Sequence, residues 1–222
     1  MTAALFYCPP QLAAYYRRCR LDEQDQARLA QNPQLVKSIS WQTSRVGKYL
    51  AKQYYPQGKL CLSHKDGHSL IAVGTGKTGV DLEYLRQRDY LALAEKTCSA
   101  EEIRRLRHLE AKAQQELFYR LWTVKEALIK GQDLRFPSDM PAIGFTWKTQ
   151  ESFAENITIR SPSPRLVRTW LSAALAPDWY FAALWFEPVG EIALYSPIDL
   201  NIHDIIGSSA LEIKYRPLSL AF

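Results

Sequence analysis

Two strand-like stretches, residues 59–63 (KLCLS) and 69–74 (SLIAVG), are separated only by HKDGH. An Asp-Gly pair between such runs selects a tight hairpin, so the two lie antiparallel, side by side. A third strand-like stretch, GVDLEYL, starts at Gly79 after a short GTGKT segment. Helical patterns flank this β region. Val46, Tyr49, Leu50 and Tyr54 recur at helical spacing within 44–55, and 99–112 and 115–130 read as strong helices. Ser99 and Glu102 stand in capping-box spacing at the start of the first of these. Residues 5–8 (LFYC) form a short strand pattern, and 11–31 a polar helix or helix pair. After Pro137 come three more strand-like runs, IGFTWK, TWLSAAL and WYFAALWF. Strand, helices, strands, then the same again predicts an α+β fold of two similar halves meeting near residues 77–79. Residues 188–222 are rich in Pro and Ile with no clear period.

The 222 residues suffice for one large domain or two small ones with a substantial core. With 47% hydrophobic and 23% charged residues, the composition is that of a soluble globular protein. No apolar run reaches the roughly 18 residues of a membrane span. The N-terminus has no basic residue before its short apolar patch, and Pro9-Pro10 interrupts it, so no export signal is expected. Cys8, Cys19, Cys61 and Cys98 are far apart and lack metal-ligand spacing, which fits a reduced, cytoplasmic setting. A net charge of +5 favours an anionic partner, whether nucleic acid, phosphorylated small molecule or acidic protein.

GTGKT resembles the end of a phosphate-gripping loop, but the pattern fails. G-x-x-x-x-G-K-[ST] needs a glycine where this chain has Ile71, and it leads into a helix rather than a strand. The segment reads instead as a turn.

Asp81 and Glu83 are two apart, so on a strand both project from one face. Trp122, Glu126 and Lys130 share one helical stripe. A solvated strand face and a surface Glu126–Lys130 ion pair account for these spacings. So does a site in which three carboxylates and a lysine bind Mg²⁺ and a phosphate group, since Mg²⁺ takes carboxylates together with phosphate oxygens and water.

The pair GVDLE (79–83) and FYRLWTVKEALIK (118–130) resembles the double signature of 4'-phosphopantetheinyl transferases, G-[VI]-D-x-E followed by W-[STC]-x-K-E-[AS]-x-x-K. Gly79, Val80, Asp81, Glu83, Trp122, Thr123, Lys125, Glu126, Ala127 and Lys130 all match. LSHKDG (62–67) is similar to the family's I-S-H-S-x-G segment, with Ser63 and His64 in register. The order of these motifs, with Arg45 ahead of them, resembles the two-half, surfactin-synthetase-activating (Sfp-like) class across roughly residues 44–186. The chain departs from the family at Lys65, where serine is usual. YYPQGK stands in for a G-K-P-type segment, leaving Lys59 as its lysine, and GQDL for the glycine–leucine turn after Lys130.

The resemblance implies a pseudo-twofold pair of α+β halves, 1–77 and 78–222 with an extra tail over 188–222, and an active site in the crevice between them. It implies transfer of the phosphopantetheine arm of coenzyme A to a carrier-protein serine, with release of adenosine 3',5'-bisphosphate. Asp81, Glu83 and Glu126 would hold Mg²⁺ (or Mn²⁺). Glu126 would act as base, directly or through a water, and Lys130 would stabilise the departing phosphate. Lys125 would contact phosphate, Ser63 and His64 would reach the phosphates at the adenosine end, and Arg45 would neutralise the 3'-phosphate.

The implied partners are coenzyme A and an acidic acyl or peptidyl carrier protein of fatty-acid, polyketide or nonribosomal peptide synthesis. Neither nucleic acid nor membrane is expected, and the enzyme would be a monomer. Residues 86–102 would border the carrier, with Arg86 and Arg88 as contacts. Arg104, Arg105 and Arg107 form a further basic run or a solvated helix face. Glu102 matches a family acidic position or simply caps its helix. Two rival readings are a non-catalytic carrier-docking module of the same fold and a nucleic-acid-binding protein.

Overall fold

A computed structural model describes residues 3–147, 157–161, 169–176, 178–187, 192–195 and 213–216. The elements are β1 (Ala3–Cys8), α1 (Glu23–Gln31), α2 (Ile39–Tyr54), β2 (Lys59–Lys65), β3 (His68–Gly74), β4 (Thr78–Tyr84), α3 (Tyr90–Thr97), α4 (Ala100–Arg107), α5 (Ala111–Gln132), β5 (Gly144–Trp147), β6 (Ile157–Arg160), β7 (Thr169–Ala176), β8 (Trp179–Trp185), β9 (Ile192–Tyr195) and β10 (Ile213–Arg216). The α+β class is as the sequence predicts.

The hairpin forms where Asp66-Gly67 stands, with φ of 45° and 86°, and Lys65 pairs with His68 across it. β1 lies antiparallel to β3, giving a five-stranded sheet in the order β10-β9-β1-β3-β2. A second sheet, β4-β8-β7, is antiparallel throughout, and β5 pairs with β6. GTGKT is the turn from β3 into β4, and a strand follows it, as the failed phosphate-loop pattern requires.

Alternation along the strands sets the layers. Ala4, Phe6, Cys8, Ile71 and Val73 face α2 through Val46 and Ala51. Leu5, Tyr7, Leu70 and Ala72 face the second sheet, meeting Val80, Leu82, Phe181, Ala183 and Trp185. Tyr180, Ala182 and Leu184 on that sheet's other face pack on α5. The stacking is therefore helix, sheet, sheet, helix, and β1 and β3 are buried on both sides.

Three differences from the sequence reading have physical causes. Of the polar stretch 11–31 only α1 is an α-helix, capped by Asp22; the Pro9-Pro10 end leaves short 3-10 turns before it. Residues 90–97, expected within a connecting segment, form α3, capped by Asp89. The stretch beyond 187, expected as a tail on the second half, supplies β9 and β10 to the first sheet, with β9 parallel to β1. The rest of that stretch, like Lys148 of IGFTWK, lies outside the described residues.

Candidate active site

The site forms where the edge strand of each sheet meets the other beside α5. Asp81 and Glu83 project from β4 toward α5, opposite to Val80 and Leu82 in the core. The close approach of β4 to α5 depends on Gly79, where a Cβ would fall 2.0 Å from the Ala127 carbonyl oxygen. This backbone contact sets Glu126 and Lys130 against the two strand carboxylates.

From β2, Ser63 donates to Asp81 Oδ1 at 2.9 Å. Lys130 Nζ reaches the same oxygen at 2.6 Å and Ser63 Oγ at 3.3 Å. Two residues along β2, Lys65 Nζ lies 2.8 Å from Glu83 Oε2 as an ion pair, without hydrogen-bond geometry. Two rungs result, Ser63–Asp81–Lys130 and Lys65–Glu83. Asp81 Oδ2 is buried with no hydrogen-bond partner. Burial first, and then the charges of Asp81 and Glu83, push the Glu126 carboxyl up to about 7. Burial pulls the Lys130 ammonium pKa down, but Asp81 and Glu126 outweigh it and raise the value overall, keeping the group charged.

Beside the rungs opens a cleft of about 440 Å³, lined by Asp25, Arg28, Arg45, Lys48, His64 and Lys130 among others. Arg45 is buried, ion-paired with Asp25, and its guanidinium lies 4.3 Å from the centre of the Trp41 ring. Its Nε is buried without a partner. Lys48 bridges Asp25 (2.7 Å) and Asp22 (2.8 Å). Burial, and then Arg45, Lys130 and Arg28, lower the His64 pKa, so His64 is neutral near pH 7.

Of the residues singled out in the sequence, Ser63, His64, Asp81, Glu83, Glu126, Lys130 and Arg45 lie around this crevice and cleft. Lys125 does not. It is fully buried, with its ammonium 2.9 Å from Glu102 Oε2 and donating to the carbonyls of Met140 and Ile143. The expected phosphate contact is therefore corrected: adjacent helix positions point about 100° apart, and Lys125 turns inward. Glu102 closes the capping box with Ser99 and is also the buried partner of Lys125 and Arg160. Arg86 is held by Asp66 of the hairpin through both carboxylate oxygens, at 2.7 and 2.9 Å, while Arg88 and Lys59 are exposed. Arg107 pairs with Glu95, Arg105 with Glu101, and Arg104 is exposed.

Sequence reasoning missed Asp22, Asp25, Arg28 and Lys48. Their signal is a pair of complementary stripes, Asp22 and Asp25 at the start of α1 against Arg45, Lys48 and Lys52 at helical spacing on α2.

Residues 77–185 match the 4'-phosphopantetheinyl transferase superfamily. The 4'-phosphopantetheinyl transferase psf-1 of Bacillus pumilus is 35% identical over 95 residues, covering 43% of this chain and 40% of its own length. The 4'-phosphopantetheinyl transferase HetI of Nostoc sp. is 42% identical over 71 residues, covering 31% of this chain and 30% of its own. The Synechocystis sp. protein slr0495, provisionally named to the same class, is 35% identical over 91 residues, covering 35% of this chain and 37% of its own. The chain thus matches two fifths or less of each relative's length. The matched residues 77–185 hold β4, α5 and the acidic residues of the crevice, and this part of the chain is similar to the 4'-phosphopantetheinyl transferase superfamily.

Proposed function

We propose that this protein transfers the 4'-phosphopantetheine arm of coenzyme A to a serine hydroxyl of an acyl or peptidyl carrier protein, with release of adenosine 3',5'-bisphosphate. The observation that carries the reading is the convergence of Asp81, Glu83, Glu126 and Lys130 beside a basic cleft.

The donor set fits Mg²⁺. All three acids offer hard oxygens, Asp81 Oδ2 lacks a partner, and burial, followed by the charges of Asp81 and Glu83, disfavours charge on Glu126. Among the described residues no three acidic, His or Cys side chains are gathered to cage a metal unaided, so phosphate oxygens and water would complete the shell. When bound, the ion would neutralise and orient the pyrophosphate.

The chain's own groups do the rest. Arg45, Arg28, Lys48 and neutral His64 form an anion-binding wall for the adenosine bisphosphate end. Glu126 takes the proton as the serine oxygen bonds to the β-phosphorus of coenzyme A. The bond from that phosphorus to the bridging oxygen breaks, and Lys130 neutralises the charge that moves onto the leaving phosphate. We place the boundary between the halves at 77–78, with β9 and β10 returning to the first, and take the protein to be a cytoplasmic monomer. The carriers' acidic surface matches its +5 charge.

Intact-mass measurement of apo carriers incubated with the protein, coenzyme A and Mg²⁺ tests this. The expected result is a gain of one phosphopantetheine arm, lost with chelator and reduced about 10²- to 10⁴-fold in Glu126→Gln. A chain that binds coenzyme A but shifts no carrier would instead be a docking module.

A further inference from the structure

Each carboxylate on β4 already faces a lysine. Lys130 comes from α5 to Asp81, and Lys65 comes from β2 to Glu83. Lys130 also touches Ser63 and lines the basic cleft, as an anion-binding group should. Lys65 stands two residues along β2 from Ser63, outside the residues that line that cleft.

The position of Lys65 is fixed by the fold. It closes the β2–β3 hairpin opposite His68. The next residue, Asp66, is gripped by Arg86, which follows the end of β4. The ends of β2 and β4 are thereby tied on the far side of the Lys65–Glu83 pair. Lys65 keeps 24% of its side-chain surface and Glu83 16%, so the pair is shielded from the full screening of open solvent.

A divalent ion entering between Asp81, Glu83 and Glu126 therefore meets two resident ammoniums, Lys130 on Asp81 Oδ1 and Lys65 on Glu83, while Asp81 Oδ2 has no hydrogen-bond partner. The ion must share Glu83 or displace Lys65, and repulsion from that ammonium opposes both. We propose that Lys65 is a tethered cation that withholds Glu83 and sets a weak hold on the divalent ion, leaving Glu126 and the Oδ2 oxygen of Asp81 open to it. This rests on the metal-binding reading above. The consequence is a site that binds the ion weakly alone and more tightly when phosphate oxygens add their own ligation, which couples metal entry to coenzyme A.

The test titrates Mn²⁺ into the full chain without coenzyme A or carrier and follows the paramagnetic resonance signal of free Mn²⁺. Lys65→Ser is expected to tighten Mn²⁺ binding about tenfold or more. Lys65→Arg should stay within about twofold of the parent. In a Glu83→Gln background, removal of Lys65 should change the affinity much less, showing coupling through that acid. Lys65→Met serves as a second charge-removing variant, and thermal melts confirm that each protein is folded. Equal Mn²⁺ affinity in the parent, Lys65→Ser and Lys65→Met would overturn the inference while leaving the metal reading intact. Failure of every variant to bind Mn²⁺, with arm transfer persisting in chelator, would overturn both.

Discussion

At the scale of single residues, Lys125 and Glu126 show how adjacent positions in one motif take separate tasks. Glu126 faces the crevice. Lys125 sits in a closed polar knot with Glu102, which also accepts from the backbone N–H groups of Ser99 and Phe145. Gly144, at a φ of 124°, passes so close that a Cβ there would lie 2.2 Å from Glu102 Oε1. Burial lowers the Lys125 pKa and Glu102 opposes the shift. Lys125→Met leaves a buried carboxylate short of a partner, so a loss of about 3–5 kcal/mol is expected in urea unfolding. Below its melting range this variant should keep its KM for coenzyme A within about twofold; a large KM rise would restore the phosphate role. Cys8 gives a prediction of alkaline sensitivity. Burial behind α2 pushes its thiol up to about 12 from 9.0. The folded pKa is the higher one, so the contribution to stability is complete below the unfolded value and falls as pH rises from 9.0 toward about 12. Unfolding free energy should drop by about 1.4 kcal/mol per pH unit in that window from this thiol. The slope should be shallower in Cys8→Ala, as parallel urea titrations would report.

Among the elements, the β4–α5 contact governs the site. Gly79 faces a helix carbonyl and, at 3.3 Å from its would-be Cβ, the Cα of Gly131, neither of which can swing aside as a side chain does. Gly79→Ala is expected to force strand and helix apart, with a stability loss of about 1–3 kcal/mol. Arm transfer should fall about 10²-fold, because Glu126 moves relative to Asp81. Carrier modification at saturating coenzyme A, read beside a thermal melt, separates the two effects; unchanged transfer would show that the spacing is not critical. This contact was legible in the sequence, since the glycine, the alternating acids and the Glu126–Lys130 stripe are local patterns. So were the Asp66-Gly67 hairpin and the Ser99–Glu102 cap. Helix α3 was not, because Leu91 and Leu93 alternate like a strand and only Tyr90, Ala94 and Thr97 show the buried helical spacing. The inward turn of Lys125 depends on Glu102 and a loop carbonyl brought together by the fold, which no short spacing encodes. The pairing of α1 acids with α2 bases was readable in principle from their stripes, but only after both helices were placed side by side.

At the scale of the whole molecule, a strand from near the C-terminus closes the sheet that carries Ser63 and Lys65. β1 is buried along its whole length, sandwiched between α2 and the second sheet. Its backbone is paired on one edge by β3 and on the other by β9. Ile192 and Leu194 of β9 face the second sheet with no exposed surface, and Tyr195 stacks on Phe6 with ring centres 4.3 Å apart. The Tyr195 hydroxyl also meets that of Tyr55 at 3.1 Å, which ties β9 to the end of α2. A chain ending at Glu187 would lose these three side chains, each contributing about 1.5–3 kcal/mol through burial, and would expose the β1 edge for pairing with another molecule. The melting temperature is expected to fall by more than about 10 °C, with concentration-dependent association by size-exclusion chromatography. Tyr195→Ala removes the Phe6 stack, the ring contacts with Tyr54 and Tyr55 and the hydroxyl contact but leaves β9 paired to β1, so it should destabilise by about 3–5 kcal/mol without association. Both changes act through β1 and β3 on β2, so loss of arm transfer should follow loss of fold and not precede it. A truncated chain that melts with the full one and stays monomeric would show that β9 is dispensable to the sheet. A truncated chain that stays folded yet cannot modify a carrier would give the C-terminal strands a direct part in the reaction.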